Sequence, residues 1–260
     1  MDQTLLTDTL SSVPLGGIRY FDTIGSTNDE ALDWAAIGAP DLSLVISDEQ
    51  TAGRGRSGRK WSTPTGSALA FSLILHPTSA ELAHSSRITG LGALAVTDAL
   101  RYLGLDPEIK WPNDILIDGR KVAGILVEAN WLGNQLDASV LGIGINVMRA
   151  SVPPSENINF PATCIEEKVD RRSIDRVKLL KEILSALIDW RKKLGQDEFM
   201  QEWEKSLAYR GQQILVSRDG GAQISGELIG LGPSGNLQIR SLQGEMQEIH
   251  LGEIHLRPVL

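Results

Sequence analysis

Residues 108–128 read "EIKWPNDILIDGRKVAGILVE", and their reading decides the fold. Asp118-Gly119 is the kind of dipeptide that fills both central positions of a two-residue hairpin turn, and apolar runs flank it on either side. The pattern predicts strands at "EIKW" (108–111), "DILID" (114–118) and "KVAGILVEA" (121–129), the last two joined by the hairpin. "DASVLGIGINV" (137–147) predicts a further strand ending at Asn146. Hairpin-linked strands with helices set apart argue for an α+β domain, not a doubly wound sheet.

Upstream, "IRYFDTI" (18–24), "LSLVISDEQ" (42–50) and "GSALAFSLIL" (66–75) read as strands. A helix follows Gly25, with Thr27 and Glu30 at capping-box spacing and Ala31, Leu32, Ala35 and Ala36 continuing it. "SSRITGLGALAVTDALRYLGL" (85–105) reads as a long helix carrying small residues. Downstream, 148–165 is rich in Pro, Ser and Asn and reads as a loop. From Ser173 as a cap, "IDRVKLLKEILSALIDWRKKL" is an amphipathic helix with Val177, Leu180, Leu184 and Leu187 on one face and Gly195 at its end. A second helix covers about 197–207. From Tyr209 onward, short alternating strands are separated by Gly-Gly, Pro-Ser-Gly-Asn and Gln-Gly turns, the pattern of a small SH3-like β-barrel. The expected division is 1–207 and 208–260.

The 260 residues are 42% hydrophobic and 22% charged, an ordinary globular balance. Lys and Arg number 25 against 33 Asp and Glu, a formal net charge of −8. Non-specific nucleic-acid affinity comes mainly from cations that neutralise phosphates, so this balance argues against a nucleic-acid partner. The single cysteine, Cys164, excludes an intrachain disulfide and a multi-cysteine metal site. The histidines at 76, 84, 250 and 255 lack metal-ligand spacing. No basic-then-apolar leader opens the sequence, and no apolar run spans a bilayer, so the expectation is a cytoplasmic protein with no membrane partner.

Against that acidic background, "TAGRGRSGRKW" (51–61) places three glycines and four cations between Gly53 and Lys60. Gly53 and Gly58 have phosphate-loop spacing, but Arg59-Lys60 stands where Lys-Ser/Thr belongs and "WSTPTG" starts no helix. The dinucleotide fingerprint fails for the same reason. What remains is a set of glycine amides and forked arginine donors suited to an oxyanion, or a solvated surface loop. Cationic repulsion and glycine entropy predict that it stays unfolded until an anion arrives. "GSTNDEA" (25–31) offers Ser26, Thr27 and Asn28, either as helix caps or as readers of a ureido, amide or carboxylate group. Lys121 follows the hairpin, either as a surface lysine or as a cation projecting into a cleft. "GIGINV" (142–147) allows close backbone approach and supplies the two-sided amide of Asn146.

Taken in order, "GSTNDEA", "EQTAGRGRSGRKW", "KWPNDIL", "GRKVAGILVE" and "GIGINV" closely resemble the biotin protein ligases, from about residue 17 to the C-terminus. The resemblance implies a mixed β-sheet with flanking helices of the class II aminoacyl-tRNA synthetase type, followed by the small barrel. It implies an enzyme that makes biotinyl-5′-AMP from biotin and ATP with release of pyrophosphate. Biotin then passes to one lysine of a biotin carboxyl carrier protein domain of a biotin-dependent carboxylase. Relatives that act as repressors carry an N-terminal winged helix-turn-helix, and the roughly 17 residues before the first strand match the non-regulatory class. By resemblance, Ser26, Thr27, Asn28, Gln50, Gly53 and Gly55 bind biotin, and Gly124 and Gly142 let backbone pack against its bicyclic ring. Arg54 and Arg56 fold over the carboxylate and phosphates, and Lys121 bridges them as the main electrostatic catalyst. Trp61, Asn113 and Asn146 line the nucleotide side, and Asp114 orients its neighbours or accepts a proton from the incoming lysine. Mg²⁺ accompanies ATP, held largely by phosphate and water. Family members occur as monomers and as dimers, which leaves a homodimer open. Lipoate–protein ligases and octanoyltransferases share the catalytic fold, but their Arg-Arg-x-x-Gly-Gly-type motif is not found here. A ligand-sensing DNA-binding regulator and a simple biotin-binding module are the rivals outside ligase chemistry.

Overall fold

A computed structural model describes residues 1–133, 135–154, 160–169, 174–218, 223–250 and 254–258. The elements run α1 (Gln3–Leu10), β1 (Gly17–Ile24), α2 (Thr27–Ala36), β2 (Ser43–Gln50), β3 (Ala68–Leu75), α3 (Ser79–Leu82) and α4 (Ile88–Tyr102). They continue with β4 (Pro107–Lys110), β5 (Asp114–Ile117), β6 (Arg120–Leu132), β7 (Gln135–Asn146), α5 (Arg176–Arg191) and α6 (Asp197–Lys205). The last five are β8 (Gln213–Arg218), β9 (Gln223–Leu231), β10 (Leu237–Arg240), β11 (Met246–Ile249) and β12 (Ile254–Pro258).

Seven strands form one mixed sheet in the order β1-β2-β3-β7-β6-β5-β4. Only β1 and β2 pair in parallel, across the α2 crossover; every other neighbour is antiparallel. The Asp118-Gly119 turn joins β5 to β6 as expected, both residues having positive φ (49° and 68°) and Ile117 pairing with Arg120. Strand alternation then assigns two faces. Leu69, Phe71 and Leu73 of β3 and Leu141, Ile143 and Ile145 of β7 join the large core, with α4, α5 and buried Leu6 and Leu10 of α1. On the opposite face, Ile74, Val140 and Val45 pack against Ala31 and Ala35 of α2. The rest of that face belongs to a cavity.

Val177, Leu180, Leu184 and Leu187 are buried on α5 as the periodicity predicts. Ser173, expected to cap it, lies outside the described residues; Asp175 accepts from the Val177 and Lys178 amides. The helix ends at Arg191, and turns carry the chain on to Gly195. Two further helices, α1 and α3, have no counterpart in the sequence reading. Asp2 caps α1, and a capping box between Thr78 and Glu81 starts α3. At α2 the expected capping box is absent. Ser26 occupies the N-cap without a side-chain bond, and Glu30 pairs instead with Arg19 at 2.7 Å. Thr27 is already inside the helix and its hydroxyl turns to the cavity network.

The C-terminal strands form a five-stranded antiparallel sheet in the order β11-β10-β9-β8-β12. Its Pro233–Gly235 turn is gripped by Trp111, just after β4, and Arg87, just before α4. The indole N–H of buried Trp111 donates to the Gly235 carbonyl at 2.9 Å. Arg87 donates to the Pro233 carbonyl at 2.8 and 3.1 Å and to the Leu194 carbonyl at 2.7 Å. Burial lowers the Arg87 pKa, but its donors end on carbonyls that stabilise the cation.

Candidate active site

A cavity of about 340 Å³ opens on the second face of the seven-stranded sheet. Its floor follows from strand register. Asp114, Gly124, Gly144 and Ala70 lie side by side across β5, β6, β7 and β3. Two residues along, Leu126, Gly142 and Ser72 form a second row. The Gly-Ile-Gly-Ile-Asn alternation thus sends both isoleucines into the core and leaves Gly142, Gly144 and Asn146 facing the cavity. A Cβ on Gly144 would overlap the Trp61 ring, and one on Gly142 would overlap the Asn28 side chain. The glycines make room for these two side chains, where the resemblance had Gly142 serving a ligand ring.

Every expected site residue but one lines this cavity: Ser26, Thr27, Asn28 and Gln50 at one end, Arg56, Trp61, Asn113, Lys121 and Asn146 toward the other, with Arg54, Gly55, Gly124 and Gly142 between. The exception is Gly53. A Cβ there would collide with the Trp61 carbonyl, so Gly53 serves the fold of the loop and not the cavity wall.

Residues 50–63 form a hairpin roof, with antiparallel bridges between Gln50 and Thr63 and between Arg54 and Lys60. The Gly55 N–H donates to the Arg59 carbonyl at 2.7 Å, and the Trp61 N–H to the Gly53 carbonyl at 2.9 Å. The sequence alone predicts an unfolded loop awaiting an anion. Here the chain supplies anions itself: Arg54 meets Asp29 at 2.7 Å and Glu128 at 2.6 Å. Arg56 points to the far wall, donating to Asn113 Oδ1 at 3.2 Å.

On that wall Lys121 Nζ lies 2.5 Å from Asp114 Oδ1 and 5.5 Å from the Trp61 ring centre. Lys110 stands 3.8 Å from the other Asp114 oxygen and 4.1 Å from the centre of the Phe160 ring. One carboxylate therefore pairs with two cavity-lining lysines and offsets their mutual repulsion. Asn113 donates to the Ile125 carbonyl at 2.8 Å, which fixes its Oδ1 toward Arg56. Residues 161–163 run beside the start of β6, with the Lys121 N–H donating to Pro161 (2.8 Å) and the Thr163 N–H to Lys121 (2.9 Å). Asn146 donates to the Thr163 carbonyl at 3.1 Å. Glu167 accepts from the Thr163 hydroxyl at 2.9 Å and pairs with Arg149; these contacts outweigh burial and hold its carboxyl below the usual range. The neighbouring Cys164 thiol is buried and pushed up, with no opening to the cavity.

Comparison with known proteins gives this arrangement a context. The biotin/lipoate A/B protein ligase family model matches residues 20–146. The biotin--[acetyl-CoA-carboxylase] ligase of Paracoccus denitrificans is 35% identical over 230 residues, covering 84% of this chain and 92% of that one. The chain belongs to the biotin/lipoate A/B protein ligase family. Within this family, the bifunctional ligase/repressor BirA of Bacillus spizizenii is 39% identical over 160 residues, 60% of this chain. The chain spans about half the length of that relative, 49%. Among solved structures, the family's biotin protein ligase from Aquifex aeolicus, in complex with biotin and ATP, superposes with a TM-score of 0.79 at 30% identity. That match covers 94% of this chain and 99% of the other.

Sequence reasoning missed Lys110, Gly144, Phe160, Ser72 and Glu128. Lys110 and Gly144 lie inside quoted motifs, and strand alternation gives Gly144 away. Phe160 sits in the 148–165 loop, from which no contact was assigned. Ser72 and Glu128 owe their place to pairing registers that sequence does not display.

Proposed function

We propose that this chain is an ATP-dependent biotin protein ligase. The carrying observation is that a polar pocket end (Ser26, Thr27, Asn28, Gln50) and a cationic end (Arg56, Lys110, Lys121) share one cavity under one roof. In the first step a biotin carboxylate oxygen attacks the α-phosphorus of ATP; the new C–O–P linkage forms and pyrophosphate leaves. Both reactants are anions, so the barrier is dominated by charge, and fixed cations reduce it. Lys121 and Arg56 supply that charge, Lys121 held in place by Asp114. Asn113 and Asn146, each fixed by a backbone carbonyl, position the nucleotide side. In the second step a neutral lysine amine of a biotin carboxyl carrier domain attacks the acyl carbon, AMP departs with the bonding electron pair, and the surplus amine proton passes to solvent. No side-chain nucleophile is needed.

Among the described residues, no group of three or more His, Cys, Asp or Glu clusters as a metal site. The one carboxylate among the cavity-lining residues, Asp114, is already paired with lysines. The donor set suits Mg²⁺ that arrives bound to the phosphates of ATP. No helix of the described residues is long and apolar enough to cross a membrane. We place the catalytic unit at 1–207 and the small unit at 208–260. The test is direct: with labelled biotin and MgATP the chain should release pyrophosphate and then label a biotin carboxyl carrier domain. Lipoic acid should not replace biotin. Pyrophosphate release with lipoic acid but not biotin would overturn the reading.

A further inference from the structure

We propose that Glu128 is a positioning residue that latches the 50–63 roof to the floor of the cavity. Glu128 lies on β6, four residues beyond Gly124 and on the same face. It does not line the cavity. Its Oε2 accepts from Arg54 of the roof at 2.6 Å and from the Asn28 amide at 2.8 Å. Asn28 cannot shift freely, because its Oδ1 takes the buried Ser72 hydroxyl at 2.6 Å while the side chain lies on Gly142. The Ser72 hydroxyl is also 2.8 Å from Thr27 Oγ1. Thr27 in turn donates to Gln50 Oε1 through its N–H (2.8 Å), and Gln50 Nε2 donates to Thr63 Oγ1 at 3.0 Å.

A continuous hydrogen-bonded path therefore leaves the roof at Arg54, passes through the floor, and re-enters the roof at Gln50, which carries it on to Thr63 of the opposite limb. Both ends of the first limb are tied to one floor network, so the roof and the floor hold or release together. The path also divides labour between the two arginines. Arg54 is a strut engaged by two carboxylates, and Arg56 is the arginine that faces the nucleotide side.

The roof contains four trypsin sites, at Arg54, Arg56, Arg59 and Lys60. In the ligand-free chain, Glu128→Gln should speed cleavage within 54–60 about tenfold, as expected for loss of one partly exposed charge-assisted hydrogen bond. Cleavage within α5, at Lys178 or Arg191, should stay unchanged. Arg54→Gln also loses the Asp29 pair and one cleavage site, so cleavage at Arg56, Arg59 and Lys60 should speed at least as much, and adding Glu128→Gln to it should not speed it further. Unchanged cleavage in Glu128→Gln, or additive effects in the double variant, would overturn the latch. Should Glu128→Gln lose its fold, Arg54→Gln breaks the same contact from the exposed side, with Asp29→Asn as the control that removes only Arg54's other carboxylate; equal cleavage in these two variants would overturn the latch. A second arm rests on the proposed ligase function: bound adenylate should escape about tenfold faster from Glu128→Gln, with first-turnover pyrophosphate release within about twofold of wild type. A packing role alone would not separate these two rates, and unchanged escape, or pyrophosphate release slowed by as much as escape is speeded, would count against the latch. A wild-type chain that releases no pyrophosphate refutes the ligase reading and leaves the proteolysis arm standing.

Discussion

Replacing Lys121 by Met removes the cation while keeping an unbranched chain on Trp61 and Gly124. Two effects combine in the transition state of adenylate formation. The first is loss of the positive charge beside the phosphate: two unit charges about 4 Å apart interact by ~4 kcal/mol at an effective dielectric of about 20. The second is release of Asp114, whose nearest remaining cation among the named residues is Lys110 at 3.8 Å; the liberated carboxylate then repels ATP. Solvent reaching the open cavity screens the first effect, and only the part made in the transition state counts, so together they should cost about 3–4 kcal/mol, or roughly 10²- to 10³-fold in the rate of pyrophosphate release at saturating biotin and MgATP. The effect on the fold should be small, because the pair is partly exposed (24% and 14% of the side chains) and such pairs are worth about 1 kcal/mol or less. Adding Asp114→Asn to Lys121→Met should recover part of the loss by removing the stranded carboxylate. The assay is first-turnover pyrophosphate release, with thermal unfolding as the control. A Lys121→Met rate within about threefold of wild type, at unchanged stability, would refute the electrostatic role.

Gly142→Ala puts a methyl group where the Asn28 side chain lies, in a floor row bounded by paired strands. Asn28 must leave, so biotin affinity by calorimetry should fall about tenfold or more, while a change at Gly119, in the distant turn, should not affect it. Glu167 provides a pH test. Its folded pKa is depressed, mainly by the Thr163 hydroxyl, so its stabilising contribution is full above the ordinary carboxyl value and is lost as pH falls through the folded value. The urea midpoint of Glu167→Gln should therefore lie below wild type at pH 7 and converge with it below about pH 4. A constant gap across that range would show that its carboxylate is not the clamp on 163–167.

Much of the architecture is legible because the signals are local. Asp118-Gly119 sets a hairpin wherever it occurs between apolar runs, and the α5 periodicity carries its buried face. The misses at α2 and α1 have separate causes. Thr27 has capping chemistry, but its hydroxyl finds Gln50 and Ser72 in three dimensions and leaves the cap to Ser26. α1 is short and only Leu6 and Leu10 are buried on it, too few to show a period. In the site, the residues sequence reasoning found are those with unusual local composition. Two of those it missed act across long separations: Glu128 is 100 residues from Asn28, and Ser72 lies 44 from it. The folded state of the roof was hidden for the same reason, since its countercharges lie on α2 and β6.

The grip of Trp111 and Arg87 on the Pro233–Gly235 turn means that the small C-terminal sheet is a keystone of the cavity wall rather than an ornament beside it. Trp111 is followed directly by Pro112, Asn113 and Asp114, all of which line the cavity. Its indole proton has its partner only on the far side of the seam, at Gly235. The cavity wall is therefore anchored to a sheet that contributes no described residue to the cavity lining, and any coupling through this bond would act in both directions.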